Sequence, residues 1–314
     1  MKLLVTGATG LIGKNILAIA KERNISVHFL TTRKGKLIDS DGLKGFYWNP
    51  ESGEIDACCF EGVDSLIHLA GTSISKPWTS KNKKEILESR VNSTRLLRNA
   101  LDQQNIRMKS IVCASAIGIY PNSLDEVYDE NSSLIEENFL QKVTSAWEEE
   151  SKAMCDHTQH LSMLRIGLVL AKDGGLLSQL ILPVKLFLGT AFASGKQWQS
   201  WIHIEDLSRL FFTAADQGWE GTYNAVAPNP VSQRNLMKAT GKALGRPVIL
   251  PNIPALFMKM FFGERSILIL GSQKVSADLI LSKGFVFQFL FLPQALKDVF
   301  GKKNDILAKN NGWQ

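Results

Sequence analysis

Cysteine is scarce: four residues in 314, with Cys58 and Cys59 adjacent, Cys113 and Cys155 far apart, and no C-x-x-C pair. That spacing argues against a zinc cage or a disulfide framework and points to a reducing compartment. Long hydrophobic runs are also missing. The stretch from Leu176 to Leu188 is broken by Gln179, Pro183 and Lys185, and the one from Phe285 to Phe291 is brief, so neither reaches the ~18 residues of a spanning helix. The N-terminal run Leu3-Leu4-Val5 is too short for the apolar region of a signal peptide. The expectation is a soluble cytoplasmic protein, mature from its first residue. No repeat or low-complexity tract is present, which removes solenoids and propellers.

The chain has the residues for a large core, 45% being hydrophobic, so neither disulfides nor a structural metal are needed for stability. The net charge of +6 is too small to indicate a nucleic-acid or membrane partner, and it is unevenly spread. Nine acids fall between Asp125 and Glu150 against one base, Lys142. Short apolar runs at Lys2 to Val5, Val27 to Leu30, Ser65 to Leu69, Ile111 to Ser115 and Leu161 to Ile166 alternate with helix-like segments, the pattern of βαβ units. Leu87, Val91, Thr94, Leu97 and Leu101 recur at helical spacing, predicting a helix from Ser80, its cap, to Leu101. A second helix is expected from about Glu137 to Met154. After Ile166, glycine and proline break the chain into shorter pieces. The expected fold is therefore α/β: a Rossmann doubly wound parallel sheet over 1–170 plus 201–228, with a smaller α/β domain on the substrate side over 171–200 plus 229–314.

Directly after the first strand comes Thr6-Gly7-Ala8-Thr9-Gly10-Leu11-Ile12-Gly13, followed by a helix-compatible segment. In a strand-turn-helix the first glycine permits the tight turn, the second lets a pyrophosphate approach, and the third lets the helix pack on the sheet. The phosphates then meet the free N–H groups of the helix. At the end of the second strand an acid would hold the ribose hydroxyls of NAD, but the residues are Thr31-Thr32-Arg33-Lys34, and no carboxylate appears before Asp39. A guanidinium suits the extra phosphate of NADP(H), so Arg33 assigns that cofactor.

Further motifs follow in order: Leu69-Ala70-Gly71, Pro77-Trp78-Thr79, Glu88-Ser89-Arg90, Ser115-Ala116-Ile117-Gly118-Ile119-Tyr120, Trp147-Glu148, Arg165 to Leu170, Asp173-Gly174-Gly175, Trp201-Ile202-His203-Ile204 and Gly284-Phe285-Val286-Phe287. With the glycine turn, this set resembles the atypical extended short-chain dehydrogenase/reductases, and among them the epimerase-like, YfcH-type proteins with a small C-terminal domain of their own. The resemblance implies that Leu69, Ala70 and Gly71 lie beside the cofactor, that Ala114 and Ser115 line its nicotinamide side, and that Ile166 and Gly167 contact the nicotinamide. It implies an epimerase-like oxidoreductase acting on a small carbonyl, alcohol or sugar-like substrate, with Ser115 polarising it.

Typical members of that superfamily carry Tyr-x-x-x-Lys on the helix after the serine strand, the lysine lowering the tyrosine's pKa for proton transfer. Here none of the four tyrosines has a lysine four residues on, and Asn138 stands four before Lys142. Three replacements are available: Tyr120 as an acid, Glu148 as a carboxylate acid or base, or Lys142 orienting the ribose. The alternative is a non-catalytic NADP(H)-binding sensor or scaffold. His157 and His160 near Asp156 read as a surface turn rather than a metal site, and no metal is expected. His203 with Asp206 reads as structural. The expected partners are a small-molecule substrate and, in a homodimer, a second copy; nucleic acid and membrane are not among them.

Overall fold

The computed structural model describes residues 1–133, 138–172 and 174–301. The expected alternation is present as β1 (Lys2–Thr6), α1 (Leu11–Glu22), β2 (Ser26–Thr31), β3 (Leu43–Asn49), β4 (Ser65–His68), α2 (Ser80–Gln103), β5 (Met108–Ala116), α3 (Phe139–Lys152), β6 (Thr158–Ile166), α4 (Ile204–Gln217) and β7 (Gly221–Ala225). These strands pair in parallel in the order β3-β2-β1-β4-β5-β6-β7. A two-residue strand, Asp39–Ser40, adds an antiparallel edge to β3. Order reverses on either side of β1, the doubly wound arrangement in which ligands sit at the carboxyl ends of the strands.

Side chains alternate across a strand, so a sheet covered on both faces needs apolar residues at consecutive positions. Leu3 and Val5 pack with Ile16 of α1 and Leu207, Leu210 and Phe211 of α4 on one face. Leu4 and Leu66 pack with Leu97 and Leu101 of α2 on the other. Two helix starts differ in detail from the sequence reading. Thr79, not Ser80, caps α2, because its extended backbone lets the hydroxyl accept from Asn82 N–H. Asn138 caps α3 in a reciprocal box with Gln141; Glu137, where that helix was expected to begin, lies outside the described residues.

A second core gathers Leu177, Leu180, Ile181, Val184, Phe192 and Leu292 around helices α5 (Gln233–Leu244), α6 (Ala255–Phe262) and α7 (Leu292–Phe300). Contacts cross the expected division of the chain in both directions: Leu168, Leu170, Trp201 and Ala227 belong to this second core, and a C-terminal segment reaches the other way. Val275, Ala277, Ile280, Phe285 and Phe287 pack into the core of the large sheet, and Lys274–Val275 pairs in parallel with Val127–Tyr128. The physical reason is the apolar alternation of Phe285 and Phe287, which needs a buried surface and meets Arg209 and Phe211 of α4 there. Among the described residues no helix is long and apolar enough to cross a membrane.

Candidate functional site

The turn between β1 and α1 forms the floor of the crevice. Gly7 has φ +66°, and a Cβ there would lie 2.9 Å from the Leu69 carbonyl carbon and oxygen. A Cβ on Gly13 would lie 2.3 Å from the Gly7 carbonyl oxygen and 2.6 Å from Ala8 Cα. Both glycines are therefore required by close backbone approach. Gly10 N–H donates to the Gly7 carbonyl at 2.9 Å and Gly10 starts α1 in extended geometry. No acid occupies the first turn of α1, so its N–H groups and positive dipole end are open to an anion. This cradle fits a dinucleotide pyrophosphate.

A group that the motifs leave unread locks the neighbouring loop. Thr6 Oγ1 accepts from Leu69 N–H and Ala70 N–H at 3.0 and 3.1 Å, which leaves its own proton for His68 Nδ1 at 2.7 Å. His68 then donates from Nε2 to Thr94 Oγ1 at 3.0 Å, and Thr94 donates to the Arg90 carbonyl. Burial pulls the His68 pKa down to about 3, so the ring is neutral in the fold. Its unfolded-state value is higher, so stability is full above about pH 6.5 and falls as the unfolded chain takes up a proton below it. Urea unfolding should lose ~3 kcal/mol between pH 7 and pH 4 from this group, and a His68→Gln variant should lack that share of the slope.

Two cavities open from the turn. One, of about 1010 Å³, is bordered by Gly7, Thr9, Thr31, Thr32, Arg33, Tyr47, Asn49 and Ala70. Arg33 thus stands at the end of β2 beside the glycine turn, with the Lys34 ammonium 4.9 Å over the Tyr47 ring. The other, of about 430 Å³, continues along Gly10, Leu11, Ile12, Gly13, Leu69 and Gly71 to Ala116, Ile117, Leu140, Val143, Thr144, Trp147, Ile166 and Gly167. Its far end reaches Trp198, Gln199, Ile267, Leu268 and Gln273 from the second half of the chain.

The four residues read as catalytic candidates are not on that wall. Ser115 points away from the cleft and donates to Glu148 Oε1 at 2.6 Å, since strand alternation presents the next residue, Ala116, instead. Glu148 is held by Arg165 through Nε at 2.8 Å and Nη2 at 2.9 Å. Arg165 Nη1 donates to the Tyr120 hydroxyl at 2.8 Å, and that hydroxyl donates to Asn224 Oδ1 at 2.7 Å. Glu130 accepts from Asn224 N–H at 2.7 Å. Tyr120 is fully buried and stacked on Tyr128. Burial pushes its hydroxyl above the ordinary tyrosine value, against the pull of Arg165, the reverse of what a proton-transfer tyrosine needs. Burial alone would weaken the Arg165 charge, but the Glu148 carboxylate more than offsets that and holds it on.

Lys142 faces a separate cavity with Lys83, Lys84, Trp78 and Asn138. The helix face on the cleft is instead Leu140, Val143, Thr144 and Trp147, at i, i+3, i+4 and i+7. The two positions four apart on the wall are thus Leu140 and Thr144, and Thr144 spends its proton on the Leu140 carbonyl at 2.9 Å. Ala114 is buried in the core beneath the cleft rather than lining it. The ionisable wall residue is Arg90, which donates from Nη1 to the Thr72 and Ile86 carbonyls and lies 4.9 Å from the Trp147 ring. Burial lowers its pKa to about 10, leaving it charged at neutral pH. Among the described residues of this wall there is no Asp, Glu, His, Tyr, Lys or Cys.

The histidines noted in the sequence sit elsewhere. His157 lies 3.5 Å from Asp102 and His160 2.7 Å from Glu220. His203 caps α4 by accepting from Glu205 N–H, and Asp206 accepts from the backbone of Gln288 and Phe289.

Residues 3–225 match the NAD dependent epimerase/dehydratase family and residues 253–299 a domain of unknown function, DUF1731. The chain is 31% identical over 313 residues to the epimerase family protein YfhF of Bacillus subtilis, covering 98% of this chain and all of that one. It is 33% identical over 305 residues to the chloroplastic epimerase family protein SDR39U1 homolog of Arabidopsis thaliana, covering 95% of this chain and 86% of that one. The human epimerase family protein SDR39U1, solved with NADPH, superposes with a TM-score of 0.83 at 29% identity, covering 95% of this chain and 99% of that one.

Proposed function

Because the chain belongs to the NAD dependent epimerase/dehydratase family, with a DUF1731 segment near its end, we propose that it is an NADP(H)-dependent oxidoreductase whose own residues hold the cofactor but move no proton. The observation that carries this is the wall of the inner cleft, where Arg90 is the sole ionisable residue among the described residues. When bound, NADP(H) supplies or accepts a hydride at the nicotinamide. Gly7, Gly10, Gly13 and the start of α1 would hold the pyrophosphate, Arg33 the 2′-phosphate, and Leu69, Gly71, Ile166 and Gly167 the nicotinamide half. Support for NADP(H) over NAD(H) comes from the Thr31-Thr32-Arg33 strand end and from the NADPH in the human relative.

Reversible oxidation of an unactivated alcohol needs a base, and the family name's epimerase chemistry would need one here. With Ala116, Leu140 and Thr144 on the wall, the acceptors that fit are conjugated ones. Their reduced form delocalises the new electron pair onto a distant oxygen or nitrogen and takes its proton from water. Ser115, Tyr120, Arg165 and Glu148 would then be a strut that ties β5, α3 and β6 together. The same empty wall favours a second reading, a non-catalytic NADP(H) sensor.

Absorbance of the reduced cofactor separates the two. The enzyme reading expects oxidation of NADPH by quinones or conjugated enones and none by simple aldehydes or ketones; tight NADPH binding with no turnover on either set would support the sensor. Arg33→Asp should weaken NADPH binding about 10- to 100-fold, the worth of a charged hydrogen bond, while NADH binding changes little. Equal loss for both cofactors in a fluorescence titration would remove the phosphate assignment.

A further inference from the structure

The second half of the chain carries a surface that the cleft does not use. Two stretches, 174–204 and 221–263, contain seven basic residues (Lys185, Lys196, Arg234, Lys238, Lys242, Arg246 and Lys259) and no Asp or Glu. The same stretches hold most of the large apolar side chains left in solvent. Leu182 opens a short helix that ends at Lys185, Leu186, Phe187 and Leu188 follow it, and Ile249 and Leu250 lie alongside, because Gly189 bridges to Val248 and Leu250 N–H donates to the Gly189 carbonyl. The Arg246 guanidinium stacks over the Phe187 ring at 3.8 Å. Helix α6 turns Met258 into the same core that holds Val184, and leaves Leu256 and Phe261 each 75% exposed, with Met260 and Lys259 beside them.

So many large apolar side chains left in solvent on neighbouring segments mark an interaction site rather than an ordinary monomer surface. Charge selects the occupant. A second copy docked through this face would bring basic residues against basic residues, and the first acid after α6, Glu264, is already paired with Lys83, which is unfavourable for a self-complementary interface. Exposed Leu, Phe and Met interleaved with Lys and Arg suit a surface that is anionic at its rim and apolar beneath it. From this juxtaposition we propose that the face formed by 182–188, 246–250 and α6 docks on an anionic lipid bilayer, with Phe187, Leu256 and Phe261 entering the acyl boundary and Lys185, Arg246 and Lys259 meeting the headgroups. The sequence alone gave no membrane partner, because the bases are diluted by the acids of 125–150 and the apolar residues read as ordinary core.

Co-sedimentation of the full chain with vesicles tests this. The protein should pellet with phosphatidylglycerol-containing vesicles and far less with pure phosphatidylcholine, and salt should weaken the binding. A Phe187→Ser/Phe261→Ser variant should bind the anionic vesicles about tenfold more weakly, with NADPH affinity unchanged as proof of fold. Three results would overturn the proposal: no pelleting by a protein that binds NADPH normally; equal pelleting by wild type and variant; or a wild-type dimer by light scattering that the same two substitutions convert to monomer, which would assign the face to a second copy.

Discussion

Glu148→Gln should be the most destabilising single change in the large domain, lowering the free energy of unfolding by about 3–5 kcal/mol, because it leaves a buried guanidinium without its carboxylate. Both partners are almost wholly inaccessible, and Arg165 makes three of its side-chain hydrogen bonds inside this network, two of them to Glu148. The loss comes from the stranded charge and not from the worth of the pair. Replacing both partners, Glu148→Met with Arg165→Met, should therefore recover much of the stability that Glu148→Gln removes. Urea unfolding of the single and double variants checks this; a double variant less stable than Glu148→Gln would contradict it.

Gly13→Val should cost about 10- to 100-fold in NADPH affinity. The added carbons would run into the Gly7 carbonyl and Ala8 Cα, which are backbone atoms and cannot swing aside. Overpacking of this kind costs about 1–3 kcal/mol, and here the strain falls on the turn whose N–H groups are to hold the phosphates, so it is felt as lost binding. Gly35→Ala provides the contrast, since nothing lies within 4 Å of a Cβ there. Fluorescence titration of both variants, with circular dichroism to confirm that each is folded, gives the comparison. A Gly13→Val protein that binds NADPH normally would mean that the phosphates are held elsewhere.

The sheet and the glycine turn are legible in the sequence because they depend on local pattern. Runs such as Leu3-Leu4-Val5 must be buried on both faces, and the spacing of Gly7, Gly10 and Gly13 has few other uses. The inner cleft is less legible because a strand or helix can be placed correctly and still be read one residue out of face. Ser115 stands one position before the residue that faces the cleft, so its hydroxyl turns to Glu148. Asn138 and Lys142 have the right separation on the wrong face of α3, the wall positions being Leu140 and Thr144. The helical period of Leu140, Val143, Thr144 and Trp147, aligned with the cleft rather than with a lysine, was the signal that locates that face. His68 carries a signal too, sitting directly before Leu69-Ala70-Gly71, yet its role depends on Thr6 and Thr94, which only the folded sheet brings to it. The apolar surface of 182–188 and α6 could not be separated from core by composition, since exposure is a property of packing.

The central claim is that the chain holds NADP(H) without supplying the proton for reduction, and Tyr120→Phe tests it most directly. The substitution removes the hydroxyl between Arg165 and Asn224 and should lower stability by about 1–3 kcal/mol. Stopped-flow oxidation of NADPH by a quinone, measured with the wild type and with the folded variant, should give the same rate within about a factor of two, well below the ~10²-fold contribution of a general acid. A hundredfold slower rate in the variant, at unchanged NADPH affinity, would contradict the account and restore Tyr120 as the proton donor.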